Sequence, residues 1–411
     1  MSGPYIVALD VGSTKVCTLV GKASPDGLEV LALGEAPSRG VQKGMVVDMK
    51  EAAECIREAV AEAEELSGLS IKTVYVGLSG AHVQCLQSYG ATGIKGKVVA
   101  QGDVQRVLES ASALYVPLDR EVLHVLPSEY IIDSQEPVLR PLGMSGVRLE
   151  VRVQVITASV AVLQNLQRVL QSVGLRVAEM VFQPLATAQA VLSEEERRQG
   201  VLLVDLGGGT THLALFKAGT LRHAAVLPVG GAHLTNDLAV GLKLSQSQAE
   251  ALKLKHGGLL NGQGGATALR CTTLSGRPLQ VHPQELVRIL RPRCQELFEL
   301  LKVELSEHLL RHRPCSVVLT GGGAALQGIL EMAEAELSLP ARLGLPQGLG
   351  SALLGEGLRR PQYAASAGLL LYGLQAEGPP GRSLWQGLLQ DMAQGWLSLK
   401  RIFTRWGKSQ A

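Results

Sequence analysis

Two stretches of the chain repeat one pattern of hydrophobic and polar positions. Residues 6–22, IVALDVGSTKVCTLVGK, and residues 201–217, VLLVDLGGGTTHLALFK, each give an apolar run, an Asp-x-Gly turn and a second, alternating strand. Each copy continues into a third strand, around 28–35 and 221–229. After the first copy, KEAAECIREAVAEAEEL at 50–66 has helical spacing, and TVYVGLSG reads as the next strand. The order β-β-β-α-β follows, and its duplication predicts two related α/β lobes. Residues 315–337, CSVVLTGGGAALQGILEMAEAEL, read as a short strand, three glycines and a helix with apolar positions Leu326, Ile329, Leu330 and Ala333.

Between 83 and 160 the pattern supplies a helix starting near Asp103 and at least two strands, a small inserted α/β subdomain. In its last strand Val147, Leu149, Val151, Val153 and Val155 face one way and Arg148, Glu150, Arg152 and Gln154 the other. Residues 285–313 form a long amphipathic pattern interrupted at Pro292, and NGQGGATALR at 261–270 reads as a loop.

Composition narrows the function classes. With 411 residues and 46% apolar content the chain can build two or three compact α/β domains, and a net charge of +2 gives no overall basic field for nucleic acid. The six cysteines are scattered singly, without metal-site or redox spacing, which suits a reduced cytoplasm. The N-terminus has no signal-peptide pattern, and no apolar run approaches the roughly 18 residues of a spanning helix.

The Asp-x-Gly turns carry the candidate chemistry. Glycine lets backbone N–H groups approach a phosphate, and an aspartate at a strand end can hold Mg²⁺ directly or through water. This assigns Gly12, Ser13, Thr14 and Lys15 to phosphates and Asp10 to the metal, with Gly207, Gly208, Gly209, Thr210 and Thr211 as the second cradle and Asp205 as its acid. Gly321, Gly322 and Gly323 are expected against a nucleotide in company with the two turns, although such a strand-glycine-helix junction by itself is more often a tight crossover. Either turn alone reads more readily as an ordinary β-turn; their repetition in equivalent places reverses this and favours the phosphate reading.

The C-terminal stretch makes a separate argument. AEGPPGRSL at 376–384 is a Gly/Pro linker, and all three tryptophans, Trp385, Trp396 and Trp406, follow it. Leu389, Met392, Trp396, Leu399, Phe403 and Trp406 recur in steps of three and four, while Lys400, Arg401, Arg405 and Lys408 fill the remaining arc or its edges. The pattern suits a helix lying in an anionic membrane surface, against the alternative of one docked on the protein's own body.

In these motifs the sequence resembles the actin, Hsp70 and sugar-kinase superfamily, which implies a two-lobed actin-like ATPase fold. In QAVLSEEERRQGVLLVDLGGGTTH, Gln189 falls where actins carry the glutamine that orients the attacking water. The insert sequence HVLPSEYIIDSQEPVLRPLGMSGVRLEV resembles the FtsA family of bacterial cell-division proteins, as does GGAHLTNDLAVGLKLSQSQAEALKLKHG at 230–257.

The resemblance implies ATP and Mg²⁺ as cofactors, with Glu250 and Lys253 as nucleoside contacts and Gln189, Asp10 and Asp205 as catalytic residues of at most slow hydrolysis. His212 departs from the acid found there in many relatives. Implied partners are FtsZ, further copies of the chain in a filament, other division proteins and an anionic lipid surface at the cytoplasmic face of the septal membrane. Arg288, Arg291 and Arg293 offer themselves to FtsZ, although a solvated face accounts for them as well. The alternatives are a PilM-like scaffold of pilus assembly, which the basic aromatic tail and the insert disfavour, and a small-molecule kinase, for which no substrate acid or base is found.

The chain accordingly divides into a first lobe (1–82 and 161–192) carrying the insert (83–160), and a second lobe (193–229 and 315–375) with an upper subdomain (230–314). A linker (376–395) and an amphipathic helix (396–411) follow. Anionic vesicles are expected to sediment the full chain, with FtsZ, but neither Trp396→Glu nor a chain ending at Gly378; sedimentation of the shortened chain would remove the tail from the membrane argument.

Overall fold

The computed structural model describes residues 5–24, 27–260, 268–350 and 355–377; the linker and amphipathic helix expected from the sequence lie almost entirely outside them. The first lobe opens with strands β1 (Tyr5–Val11), β2 (Lys15–Ser24) and β3 (Gly27–Pro37), the short hairpin β4 (Val41–Gln42) and β5 (Met45–Val46), helix α1 (Met49–Ser67) and β6 (Thr73–Leu78). The insert follows as β7 (Gln84–Gly93), α2 (Gln101–Ser112), β8 (Arg120–Ile132) and β9 (Arg148–Ser159). Helix α3 (Val160–Ser172), β10 (Arg176–Phe182) and α4 (Gln183–Val191) return the chain to the first lobe.

The second lobe runs through α5 (Glu194–Gln199), β11 (Val201–Leu206), β12 (Thr211–Lys217), β13 (Thr220–Leu227), α6 (Gly231–Leu242), α7 (Gln246–His256), β14 (Leu269–Thr272) and β15 (Pro278–Val281). Helix α8 (Pro283–Arg311), β16 (Ser316–Thr320), α9 (Ile329–Leu337) and β17 (Ala341–Leu343) complete it; β18 (Leu349–Gly350), α10 (Gly355–Leu358) and α11 (Ala364–Glu377) come last. Pro292 does not interrupt α8, which runs continuously across it.

The sequence repeat is a repeat of topology. One sheet has the order β10-β6-β1-β2-β3-β18, and the other, taken in the same direction, β17-β16-β11-β12-β13. In both, the first strand pairs antiparallel with the second and parallel with a later one, and Asp10 sits opposite Cys17 as Asp205 sits opposite His212. Both first strands are buried on two faces, which is why they read as near-continuous apolar runs.

Strand alternation then decides where the acids point. Val7, Leu9 and Val11 join the core formed with α1, whereas Ile6 and Ala8 pack with Leu369 and Leu370 of α11. Asp10 shares the parity of Ile6 and Ala8. Likewise Val201 and Leu203 join the core containing Leu185 and Ala188 of α4, and Asp205 shares their parity.

The stretch 315–375, expected to finish the second lobe, divides between the two. β16, α9 and β17 stay there, but β18 pairs with β3 and α11 packs on the first sheet. Small residues permit that return: a Cβ on Gly368 would lie 2.0 Å from the Ala186 carbonyl, so α11 and α4 approach backbone to backbone.

The insert is a three-stranded sheet, β7-β9-β8, backed by α2. Leu149, Val151, Val153 and Val155 are buried as the alternation requires, whereas Val147 precedes the strand and is exposed. The insert also docks on the second lobe. Glu129 of β8 receives Arg222 of β13 at 2.6 Å and Arg152 of β9 at 2.5 Å, and the Thr220 hydroxyl donates to the Ser128 carbonyl at 3.1 Å. Burial raises the Glu129 pKa, but the two guanidinium groups outweigh it and hold the carboxylate below its ordinary range.

A buried histidine fixes the start of α4. His124 Nε2 accepts the Phe182 N–H at 3.1 Å, and burial pushes its pKa from 6.5 down to about 4. The unfolded chain binds a proton on this ring below about pH 6.5 and the folded chain does not until about pH 4. Stability from the neutral ring is therefore whole above pH 6.5 and drains away as pH falls toward 4. Between pH 7 and 5 the wild type is expected to lose about 2 kcal/mol more stability than His124→Gln; parallel denaturation profiles would show that the ring is not the cause.

Candidate functional site

The two Asp-x-Gly turns have one geometry. The Gly12 N–H donates to the Lys15 carbonyl at 3.0 Å, and the Gly207 N–H to the Thr210 carbonyl at 2.9 Å. A Cβ on Gly12 would stand 2.9 Å from that oxygen, and one on Gly207 2.8 Å, so each turn closes too tightly for any side chain. The turns also meet. A Cβ on Gly208 would lie 2.3 Å from Thr14 Cγ2, and one on Gly209 2.6 Å from Ser13 Oγ.

Behind the second turn lies the start of α6. The N–H groups of Gly231 and Ala232 donate to the Gly207 and Gly208 carbonyls at 2.9 and 2.8 Å, which satisfies donors that a helix start leaves free. Gly321, at φ 81°, closes the same region: a Cβ there would come within 2.3 Å of Asp205 Oδ1. One on Gly323 would meet Leu206 Cβ at 2.9 Å, whereas one on Gly322 meets nothing. An adjoining cleft is lined by Gly230, Gly231, Arg293, Cys294, Gly323 and Leu326 among others.

The acids themselves are buried and sparsely bonded. Asp10 Oδ1 accepts from Gln183 Nε2 at 3.2 Å and Oδ2 from Ser366 Oγ at 3.5 Å. Asp205 Oδ2 accepts from Thr187 Oγ1 at 3.2 Å, with His212 Nδ1 4.0 Å away. Gln183 and Thr187 are four residues apart on α4 and share a face, so one helix addresses both acids. Burial is the main cause that lifts the Asp10 pKa to about 6; the Lys15 charge opposes it and the Asp205 charge adds to it.

No group of three or more His, Cys, Asp or Glu side chains suitable for a metal occurs among the described residues. Two buried carboxylates with only long hydrogen bonds nevertheless match what Mg²⁺ uses when phosphate oxygens and water complete its shell.

The predicted residues fall into three groups. Gly12, Ser13, Thr14, Gly207, Gly208, Gly209, Asp10, Asp205 and Gly321 converge on the junction of the turns. Thr210 and Thr211 lie beside it with their hydroxyls engaged, by His212 at 3.1 Å and the Val229 carbonyl at 2.7 Å.

A second group is close but otherwise occupied. Lys15, expected on the phosphates, instead pairs with Glu35 at 2.6 Å and lies 3.8 Å over the Tyr363 ring. Glu250 and Lys253 form an ion pair at 2.8 Å, and Lys253 also donates to the Gly231 carbonyl at 3.0 Å, bracing the start of α6. Arg293 is held by Asp237 at 2.7 and 3.1 Å.

Gln189 is not brought to the site. It is six residues beyond Gln183, about 240° around the helix from it, and its Oε1 is buried without a partner among the described residues. The glutamine on Asp10 is Gln183, which the sequence reading missed. Its signal was positional: the first residue of a helix that follows a strand, four before Thr187, with Pro184 marking the helix start. Trp396, Leu399, Lys400, Arg401, Phe403, Arg405 and Trp406 lie outside the described residues.

The family profile described as Cell division protein FtsA matches residues 202–368, and that of the SHS2 domain inserted in FtsA matches 80–157. The FtsA protein of Pseudomonas aeruginosa is 40% identical over 92% of this chain and 91% of its own. That of Escherichia coli K12 is 35% identical over 90% of both. Among solved structures, the PilM-PilN type IV pilus biogenesis complex aligns at TM-score 0.68 and 20% identity, covering 90% of this chain and 98% of that one. MreB5 of Spiroplasma citri bound to ADP aligns at 0.53 and 14%, covering 90% and 95%. The structural likenesses establish the actin-like ATPase fold, which pilus and division proteins share, and the sequence relatives decide between them. The chain belongs to the FtsA family of cell-division proteins.

Proposed function

We propose that this cell-division protein binds Mg-ATP between the two turns and uses it as a clasp between the lobes, while its C-terminal stretch ties FtsZ filaments to the cytoplasmic membrane surface at the septum. The observation that carries the nucleotide part is the direct apposition of two equivalent glycine turns, each with a buried aspartate at its base. In this reading the turn N–H groups receive phosphate oxygens, and Asp10 and Asp205 hold the cation directly or through water. Bound Mg²⁺ would neutralise charge on the β- and γ-phosphates.

In this reading Gln183, which donates to Asp10, orients the attacking water, and Thr187, which donates to Asp205, holds that acid in register; the two hydrogen bonds support it. In this reading turnover is at most slow, and nucleotide state biases lobe closure and self-assembly more than it drives a cycle. The tail's aromatic and basic faces support the membrane part, and the family supports FtsZ and other division proteins as partners. No helix among the described residues is long and apolar enough to cross a membrane.

Nucleotide titration in Mg²⁺ is expected to show at least a tenfold affinity loss for Asp205→Ala, and single-turnover hydrolysis to slow in Gln183→Ala but not in Gln189→Ala. Unchanged affinity in the first variant would refute the metal assignment, and a larger rate loss in the last would return the role to Gln189.

A further inference from the structure

Between β4 and β5 the chain turns in two residues, Lys43 and Gly44, since Val41 pairs with Val46 and Gln42 with Met45. Both have positive φ, 48° and 75°, the pattern of a type I′ hairpin. Asn-Gly is the usual choice there, and a lysine with positive φ is uncommon. The hairpin is tied at both ends. At its base the N–H groups of Val47 and Asp48 donate to the Gly40 carbonyl at 2.8 and 3.1 Å.

At its tip the Gly44 N–H donates to Ser13 Oγ at 3.2 Å, and a Cβ on Gly209 would lie 3.1 Å from the backbone nitrogen of Lys43. Ser79 and Gly80 wall it from behind: a Cβ on Gly44 would stand 2.5 Å from the Ser79 carbonyl, and one on Gly80 2.8 Å from that of Lys43. The tip thus touches both phosphate turns at the place where the turns touch each other.

Lys15 and Lys43 both belong to the segments that meet at that junction, and their states differ. Lys15 is engaged by Glu35 and Tyr363. Lys43 has an exposed side chain, and no ion pair or hydrogen bond of its ammonium is found among the described residues. An ammonium is a compact charge on a flexible stem, suited to a phosphate that arrives after the fold is set.

We infer that Lys43 is a further phosphate-binding residue that contacts the terminal phosphate of a bound nucleoside triphosphate, so that the hairpin distinguishes triphosphate from diphosphate. This rests on the cleft being the nucleotide site. The position of the tip gives the selectivity: it stands against Ser13 of the first turn and Gly209 of the second, where the two turns meet.

The test measures equilibrium binding of a non-hydrolysable ATP analogue and of ADP, each with Mg²⁺, to the full chain, Lys43→Asn and Lys43→Arg. Asparagine tolerates the left-handed conformation, so the hairpin survives without its charge. Lys43→Asn is expected to weaken the triphosphate analogue about tenfold, the size of one charge-assisted hydrogen bond, and ADP by less than about twofold, with Lys43→Arg near wild type. Should thermal melting show that the asparagine variant is misfolded, Lys43→Gly, which accepts the same φ, is read by the same criterion. Equal loss for both nucleotides, or none, overturns the inference while leaving the cleft a nucleotide site. Binding of neither nucleotide by the wild type overturns that reading itself, and the inference with it.

Discussion

Everything in this fold depends on how close two glycine turns can come. At Gly208 and Gly209 the absent side chains are the space that Thr14 and Ser13 occupy, and the two lobes meet there through atoms already in contact. Each turn is in turn closed by its own Gly-to-carbonyl hydrogen bond, so neither can yield without breaking its strand end. The lobes are joined behind this contact by α4, buried along almost its whole length, which reaches Asp10 through Gln183 and Asp205 through Thr187. A change in the separation of the turns is therefore a change in the hydrogen bonds of one helix.

The duplicated lobes and the turns were legible because both properties are local. An apolar run ending in Asp-x-Gly specifies a strand and its turn without reference to anything distant, and repetition supplied the comparison that a short motif lacks. Alternation likewise identified the buried face of β9. What escaped was set by tertiary packing. Gln189 follows the family's wording, but which glutamine meets Asp10 depends on where α4 begins, and that is fixed from outside by His124 accepting the Phe182 N–H. Lys15 stands in the right turn yet is claimed by Glu35 and by Tyr363, a residue more than 300 positions away. Pro292 looked like a break because helix rules penalise proline, and the buried residues on either side, Leu290 and Cys294, override them.

Polar joints set how the pieces are oriented. The insert is fastened to the second lobe, not only to the first from which it springs, through Glu129 held between Arg152 and Arg222. A buried carboxylate of this kind tolerates little displacement, because loss of either partner leaves a charge in a low dielectric. The insert is thus held to β13 of the second lobe as well as to the lobe from which it springs.

The return of the last described helix has a mechanical meaning. Helix α11 lies on the first sheet, presses against α4 backbone to backbone at Gly368, and carries Ser366 to Asp10. Residues after Glu377 are joined to the body through that helix. Tension drawn along the chain from beyond this point would be delivered to an element that touches both Asp10 and the helix bridging the two lobes, so a pull on the chain end and the spacing of the turns share one lever.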